Sequence, residues 1–150
     1  MPSITEKIEE DLKSAMKASL GLRVSVLRLI KSALKNRQIE KQSPLSEEEE
    51  IAVLSTLSKQ RRESIEQYRK AGREDLAKKE EDELSIIQSY MPEQLSPDKI
   101  DALIKEAIEE CGAKGLSDMG KVMKVLMPKV KGRADGKAVS ERVKAIMEGR

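Results

Sequence analysis

The residues best suited to chemistry at a charged ligand lie at positions 117–136, in the run S-D-M-G-K-V-M-K-V-L-M-P-K-V-K-G-R-A-D-G. Lys121, Lys124, Lys129, Lys131 and Arg133 are spread through it, and Lys137 follows directly. Ammonium and guanidinium groups donate hydrogen bonds and accept none, so their chemistry is the capture of anions. Met119, Val122, Met123, Leu126 and Met127 recur at helical spacing as one apolar stripe, which leaves Lys121, Lys124 and Lys131 on the other side. Pro128 has no N–H for the Lys124 carbonyl and biases Met127 away from helical geometry, so the helix is predicted to stop or kink near Met127. A short basic turn over 129–133 then leads to Asp135-Gly136, where the next helix begins. K-G-R-A-D-G could present backbone N–H groups and Arg133 to a phosphate at the start of the last helix. Cations on a Gly hinge between two helices suit a flexible polyanionic partner better than a rigid small-molecule pocket.

The chemistry of an enzyme site is much thinner. The chain of 150 residues has no His and a single Cys, which removes the usual general base near neutral pH, the commonest metal ligand and any internal disulfide. Cys111 falls in register with Ile100, Leu103, Ile104, Ala107 and Ile108, so a buried core thiol is expected rather than a nucleophile. Glu80 and Glu83 share a helical face, but without His or a matching carboxylate pair that face is expected to be solvated, not a metal site. There is no G-x-x-x-x-G-K-[ST] loop and no G-x-S-x-G elbow. No catalytic residue, metal or cofactor is assigned.

The elements that must position the cations are helices. Phe and Trp are absent, there are 2 Tyr, and 37% of residues are charged, so the core must come from Leu, Ile, Val, Ala and Met. The fold class is all-α, with an N-terminal domain of about four helices at 1–91 and a small three-helix bundle at 92–150. Ser3 with Glu6, and Ser46 with Glu49, have capping-box spacing. The first helix carries Ile4, Ile8, Leu12, Ala15 and Ser19 on one face and ends before Gly21. The second, about 22–41, is expected to turn Leu22, Val26, Leu29, Ile30, Ala33 and Leu34 inward, with Arg28, Lys31 and Lys35 on other faces. Arg61 interrupts the apolar stripe of the third helix: either it lies at the rim with its stem covering apolar surface, or this stretch lines a polar groove, and the rim is favoured. The fourth runs from Glu74 to Tyr90 on Leu76, Ala77, Leu84 and Ile87, with Met91 beyond. Pro92 then ends it, and Ser96 with Pro97 starts the next. Helices over 97–111, 118–127 and 136–148 complete the chain.

The net charge of +2 hides a segregation. Residues 13–41 hold eight basic residues against one acidic, and residues 112–150 hold ten, Arg150 among them, against four. The second helix is neutralised either by an external anion or by the acidic third and fourth helices. No apolar run approaches the ~20 residues of a membrane span. The start Met1-Pro2-Ser3-Ile4-Thr5-Glu6 lacks a basic segment followed by an apolar one, so a cytoplasmic location is expected.

D-M-G-K-V-M at 118–123 and L-M-P-K-V-K-G-R-A-D-G at 126–136 resemble the signature of the GatB/YqeY domain. L-R-L-I-K-S-A-L-K-N at 27–36, K-Q-R-R-E-S-I-E-Q-Y at 59–68 and Y-M-P-E-Q-L at 90–95 resemble the rest of a stand-alone YqeY-like protein. In that family the last unit is the relative of the tail domain of the GatB subunit of tRNA-dependent amidotransferases, which meets the tRNA body. The resemblance implies that Lys121, Lys131 and Arg133 contact tRNA. With Lys124, Lys129, Lys137 and the second-helix cations Arg28, Lys31 and Lys35, they form the expected RNA-binding set. Three readings follow. The first is an adaptor that binds structured RNA, tRNA foremost, by shape and phosphate, in keeping with the lack of aromatic side chains for stacking. The second is an accessory component or enzyme with carbon–nitrogen ligase activity and glutamine as amido donor, partnered by an amidotransferase or aminoacyl-tRNA synthetase. The third is a protein–protein adaptor without RNA binding.

Capped, periodic segments on both sides of Pro92 predict that a fragment of residues 92–150 remains helical by circular dichroism. A random-coil spectrum would mean that the chain is a single bundle.

Overall fold

Serine caps set the starts of three helices in the computed structural model, which describes residues 2–149. Met1 and Arg150, named above at the start of the chain and among its cations, lie outside them. The order is α1 (Ile4–Lys17), α2 (Gly21–Lys41), α3 (Glu47–Lys70), α4 (Glu74–Gln88), α5 (Pro97–Cys111), a 3-10 turn (Leu116–Asp118), α6 (Met119–Val130) and α7 (Gly136–Met147). All regular structure among the described residues is helical. Ser3 and Ser46 each close a capping box with the glutamate three residues on, and Ser96 accepts from the Lys99 N–H. These bonds satisfy backbone donors that have no partner inside the helix.

By its internal contacts the chain divides into two units, Met1–Pro92 and Glu93–Arg150. In the first, Ile8, Leu12 and Ala15 of α1 meet Val26, Leu27, Ile30 and Leu34 of α2, Leu54 and Leu57 of α3, and Ile87 of α4. Two polar ties close this core. Glu50 is only 2% exposed, and its Oε2 accepts from the Thr5 N–H at 2.8 Å and the Thr5 hydroxyl at 2.7 Å, pinning the first turn of α1 to the first turn of α3. Tyr90 is 7% exposed and donates to Asp11 at 2.5 Å while accepting from Arg23 at 3.2 Å, which ties the end of this unit to α1 and α2. Burial and the bond to Asp11 push the Tyr90 hydroxyl well above its ordinary pKa, so it stays a donor.

The second unit buries Ile104 and Ala107 of α5, Val122, Leu126 and Val130 of α6, and Val139 and Val143 of α7. Met119, Met123 and Met127 pack around them as adaptable side chains at the edge of the core.

Several expectations are corrected. On α2, Leu22 and Leu29 are 38% and 40% exposed, and the fully buried residue the spacing missed is Leu27. Apolar side chains surround most of that helix, so periodicity could not choose the inward face. Ser19 leaves the stripe of α1 and is exposed with φ 56°. Arg61 is not at a rim: its Nε lies 2.9 Å from Glu83 and 3.4 Å from Glu80, with all three side chains less than a fifth exposed. Glu80 and Glu83 therefore face α3 rather than solvent, and desolvation, then the Glu83 charge, raises the Glu80 pKa despite Arg61. Cys111 is only partly buried at the edge of the core. The fourth helix stops at Gln88, short of Tyr90. The α6 helix runs through Pro128 to Val130, beginning one residue later than expected after its 3-10 turn. Proline removes one bond, to the Lys124 carbonyl, but its φ is helical, and burying Val130 to 1% exposure offsets that loss.

Glu49 is held by Lys41, then by Ser46 N–H and hydroxyl, and these hydrogen bonds lower its pKa from 4.5 to about 2. A depressed carboxylate stabilises the fold above its unfolded pKa, and that stabilisation is lost as pH falls through the folded value. Glu49→Gln should therefore flatten the dependence of stability on pH between 4.5 and 2, measured by urea melts across that range.

Candidate nucleic-acid interface

The cations of the second unit lie on elements whose opposite faces are pinned by the core. With Val122, Leu126 and Val130 inward on α6, Lys121 and Lys124 are exposed, and Lys131 at its end shares their side. Charge is polarised within this unit: α5 carries five acidic residues against two lysines, whereas 112–150 is strongly basic. Two pairs join the parts of opposite sign. Lys129 reaches Glu110 at 3.1 Å, and Arg142 holds Asp101 through two bonds of 2.7 and 2.9 Å. The second pair lowers the Asp101 pKa and raises that of Arg142.

The nine expected residues separate by what already engages them. Lys121 lies 3.6 Å from Asp118, whose carboxylate is first held by the Lys114 N–H at 3.0 Å and has a lowered pKa for that reason. Lys129 is paired with Glu110, and Arg133 donates from Nε to the Glu93 carbonyl at 3.4 Å. Lys124, Lys131 and Lys137 are exposed with no carboxylate within 4 Å among the described residues. The same is true of Arg28, Lys31 and Lys35 on α2, in the other unit. Along α2, internal pairing covers the ends only: Arg37 and Lys41 meet Glu49, and Arg23 meets Tyr90. The middle three cations are left to solvent or to a partner.

Backbone hydrogen bonds fix the K-G-R-A-D-G turn. Lys131 has φ −56° and ψ 125°, Gly132 has φ 76°, and the Arg133 N–H donates to the Val130 carbonyl at 2.8 Å. This is a type II turn, whose third residue needs the positive φ that glycine adopts without strain. The Ala134 N–H also goes to Val130, so the N–H groups of Arg133 and Ala134 are used within the turn. The carbonyls of the turn are used as well: Gly132 accepts from the Gln94 amide at 3.1 Å and Arg133 from the Leu95 N–H at 2.8 Å. The motif therefore clamps the first residues of its own unit and holds Lys131 and Lys137 at its two ends. Asp135 stands at the N-cap position of α7.

The buried Glu50 and Tyr90 escaped the sequence reading. Glu50 has a legible signal, since it shares a helical register with Leu54, Leu57, Ser58 and Ile65, all buried, and with Arg61, largely so. Among the described residues no group of three or more His, Cys, Asp or Glu side chains is placed to hold a metal, and no helix is long and apolar enough to cross a membrane.

Residues 5–147 match the Yqey-like protein family. Among curated proteins the chain is similar to proteins called "Altered inheritance of mitochondria protein 41, mitochondrial". That of Vanderwaltozyma polyspora is 37% identical over 106 residues, covering 69% of this chain and 57% of the relative. That of Pyrenophora tritici-repentis is 29% identical over 147 residues, covering 96% and 81%. That of Eremothecium gossypii is 38% identical over 85 residues, covering 56% and 46%. The matches thus span about half the length of some of these relatives and most of another.

Gly132→Ala should destabilise the second unit by about 1–2 kcal/mol, because an L side chain is strained at that positive φ. The loss should appear as a lower denaturation midpoint with unchanged helical content in the native state. An unaltered midpoint would mean that the turn relaxes at no cost.

Proposed function

This chain belongs to the Yqey-like protein family, and from that premise we propose that its second unit binds structured RNA, tRNA foremost, by recognising shape and phosphate. The observation that carries the reading is the set Lys124, Lys131 and Lys137. These three exposed cations lie along α6 and at both ends of its turn, with no carboxylate within 4 Å among the described residues. Lys121, Lys129 and Arg133 add to the same field, although each has an internal partner. A phosphate approaching Lys121 or Lys129 would compete with an exposed carboxylate pair, which holds by about 1 kcal/mol or less.

Shape and phosphate are also what such a surface can read, because the chain has only two tyrosines on which a base could stack and neither lies in the second unit. Association with carbon–nitrogen ligase chemistry using glutamine then enters through a partner, an amidotransferase or aminoacyl-tRNA synthetase, to which this protein presents tRNA. The cytoplasm expected from the sequence and the mitochondria named for the relatives both contain tRNA.

Replacing Lys124, Lys131 and Lys137 together by Ala should weaken binding of bulk tRNA. It should also make the slope of log affinity against log salt shallower by roughly 2–3, since each phosphate contact releases somewhat under one counterion. Lys105→Ala on the acidic α5 should leave the slope unchanged. Equal slopes for all three proteins, or no binding by the wild type at low salt, would defeat the RNA reading.

A further inference from the structure

The outer face of α2 combines two features that the RNA reading does not use together. Of the six large apolar side chains most exposed among the described residues, Leu22, Leu29 and Ile39 lie on α2, Leu20 directly precedes it, and Met16 lies in the last turn of α1. At 100° per residue, Ser25, Ser32 and Ile39 run down the middle of the outer face, every seven residues. Leu22 and Leu29 form one flank, and Arg28, Lys31 and Lys35 the other. No carboxylate occurs in the sequence between Asp11 and Glu40. At the C-terminal end the face opens onto a cleft of about 430 Å³ lined by Lys35, Gln38, Ile39, Gln42, Ser43 and Pro44.

We propose that this face of α2 docks an acidic amphipathic helix of a partner protein. The partner's apolar residues would lie against Leu22, Leu29 and Ile39, and its carboxylates against Arg28, Lys31 and Lys35. The small serines at the centre let a second helix approach to the 8–10 Å of ordinary helix packing. Apolar anchors spaced i, i+3/4, i+7 are how grooved surfaces receive such helices, and the unpaired cations set the sign of the partner's charge.

Other occupants fit less well. Aliphatic side chains gain nothing from phosphate and cannot stack with bases, which disfavours RNA. Three half-covered apolar side chains separated by serines form too sparse a face to insert into a membrane surface. A second copy pairing through α2 would set the same three cations against themselves.

The test uses the full chain, isotope-labelled for NMR, and a synthetic 18-residue peptide with leucines at i, i+3, i+7 flanked by glutamates. Shifts should concentrate at Ser25, Leu29, Ser32, Lys35 and Ile39. Leu29→Ser with Ile39→Ser, both at exposed positions, should weaken binding by about tenfold or more, the scale of losing interface anchors. Arg28→Glu with Lys35→Glu should abolish binding of this peptide and create binding of its lysine-flanked counterpart.

The inference is overturned if the peptide does not bind, or if a peptide of the same composition with scrambled leucines binds equally. It is also overturned if the Leu29→Ser, Ile39→Ser variant instead loses tRNA or phosphatidylglycerol vesicles. The Leu29→Ser, Ile39→Ser variant should leave the tRNA salt slope unchanged, and the triple Lys→Ala variant of the second unit should leave peptide binding unchanged. Either proposal can therefore fail without the other.

Discussion

Each unit of this chain has to close its core with aliphatic side chains, and that constraint governs the rest of the structure. Without Phe or Trp, no single side chain can bridge a wide gap, so helices must approach closely and bury several small groups together. The second unit does this with Val122, Leu126 and Val130 facing Ile104, Val139 and Val143. In the first unit the aliphatic core is bounded by polar ties, Glu50 to Thr5 and Tyr90 to Asp11 and Arg23. Such ties are demanding, because a buried carboxylate or hydroxyl without its partner is costly. They bind helix pairs in one register, which non-directional apolar contacts alone do not specify.

The same constraint releases the surface. When packing is entrusted to Leu, Ile and Val, the charged residues are free to segregate, and they do. In the second unit, α5 is acidic and the stretch from α6 through α7 basic, with Lys129–Glu110 and Arg142–Asp101 stitching the two together. Among the described residues, Lys124, Lys131 and Lys137 belong to the cations left without a carboxylate within 4 Å, a surplus of one sign that favours an external anion. On α2 the surplus lies beside exposed leucine and isoleucine. That difference in neighbours distinguishes the surface proposed for phosphate from the one proposed for a partner helix.

The signature turn shows how a motif can serve position rather than contact. Its Gly132 supplies a backbone conformation, its carbonyls receive Gln94 and Leu95, and Arg133 bends to the Glu93 carbonyl. The turn fixes the connection between α6 and α7, and Lys131 and Lys137 at its two ends are exposed.

Composition, spacing and caps determined the fold class: an aliphatic, charge-rich chain with Ser3, Ser46 and Ser96 before helical stripes has no other way to bury its apolar residues. They also determined which side of α6 is basic, because Val122 and Leu126 must turn inward and the lysines then cannot. Tertiary structure alone decided the rest. Whether Leu27 or Leu29 of α2 is buried depends on where α1, α3 and α4 lie, since both are equally apolar. Whether α6 ends at Pro128 depends on the core that receives Val130, because burial of that side chain outweighs one missing hydrogen bond. Which cations stay unpaired depends on carboxylates distant in sequence, Glu110 for Lys129 and Glu83 for Arg61. Local periodicity carries no information about partners brought together only by packing.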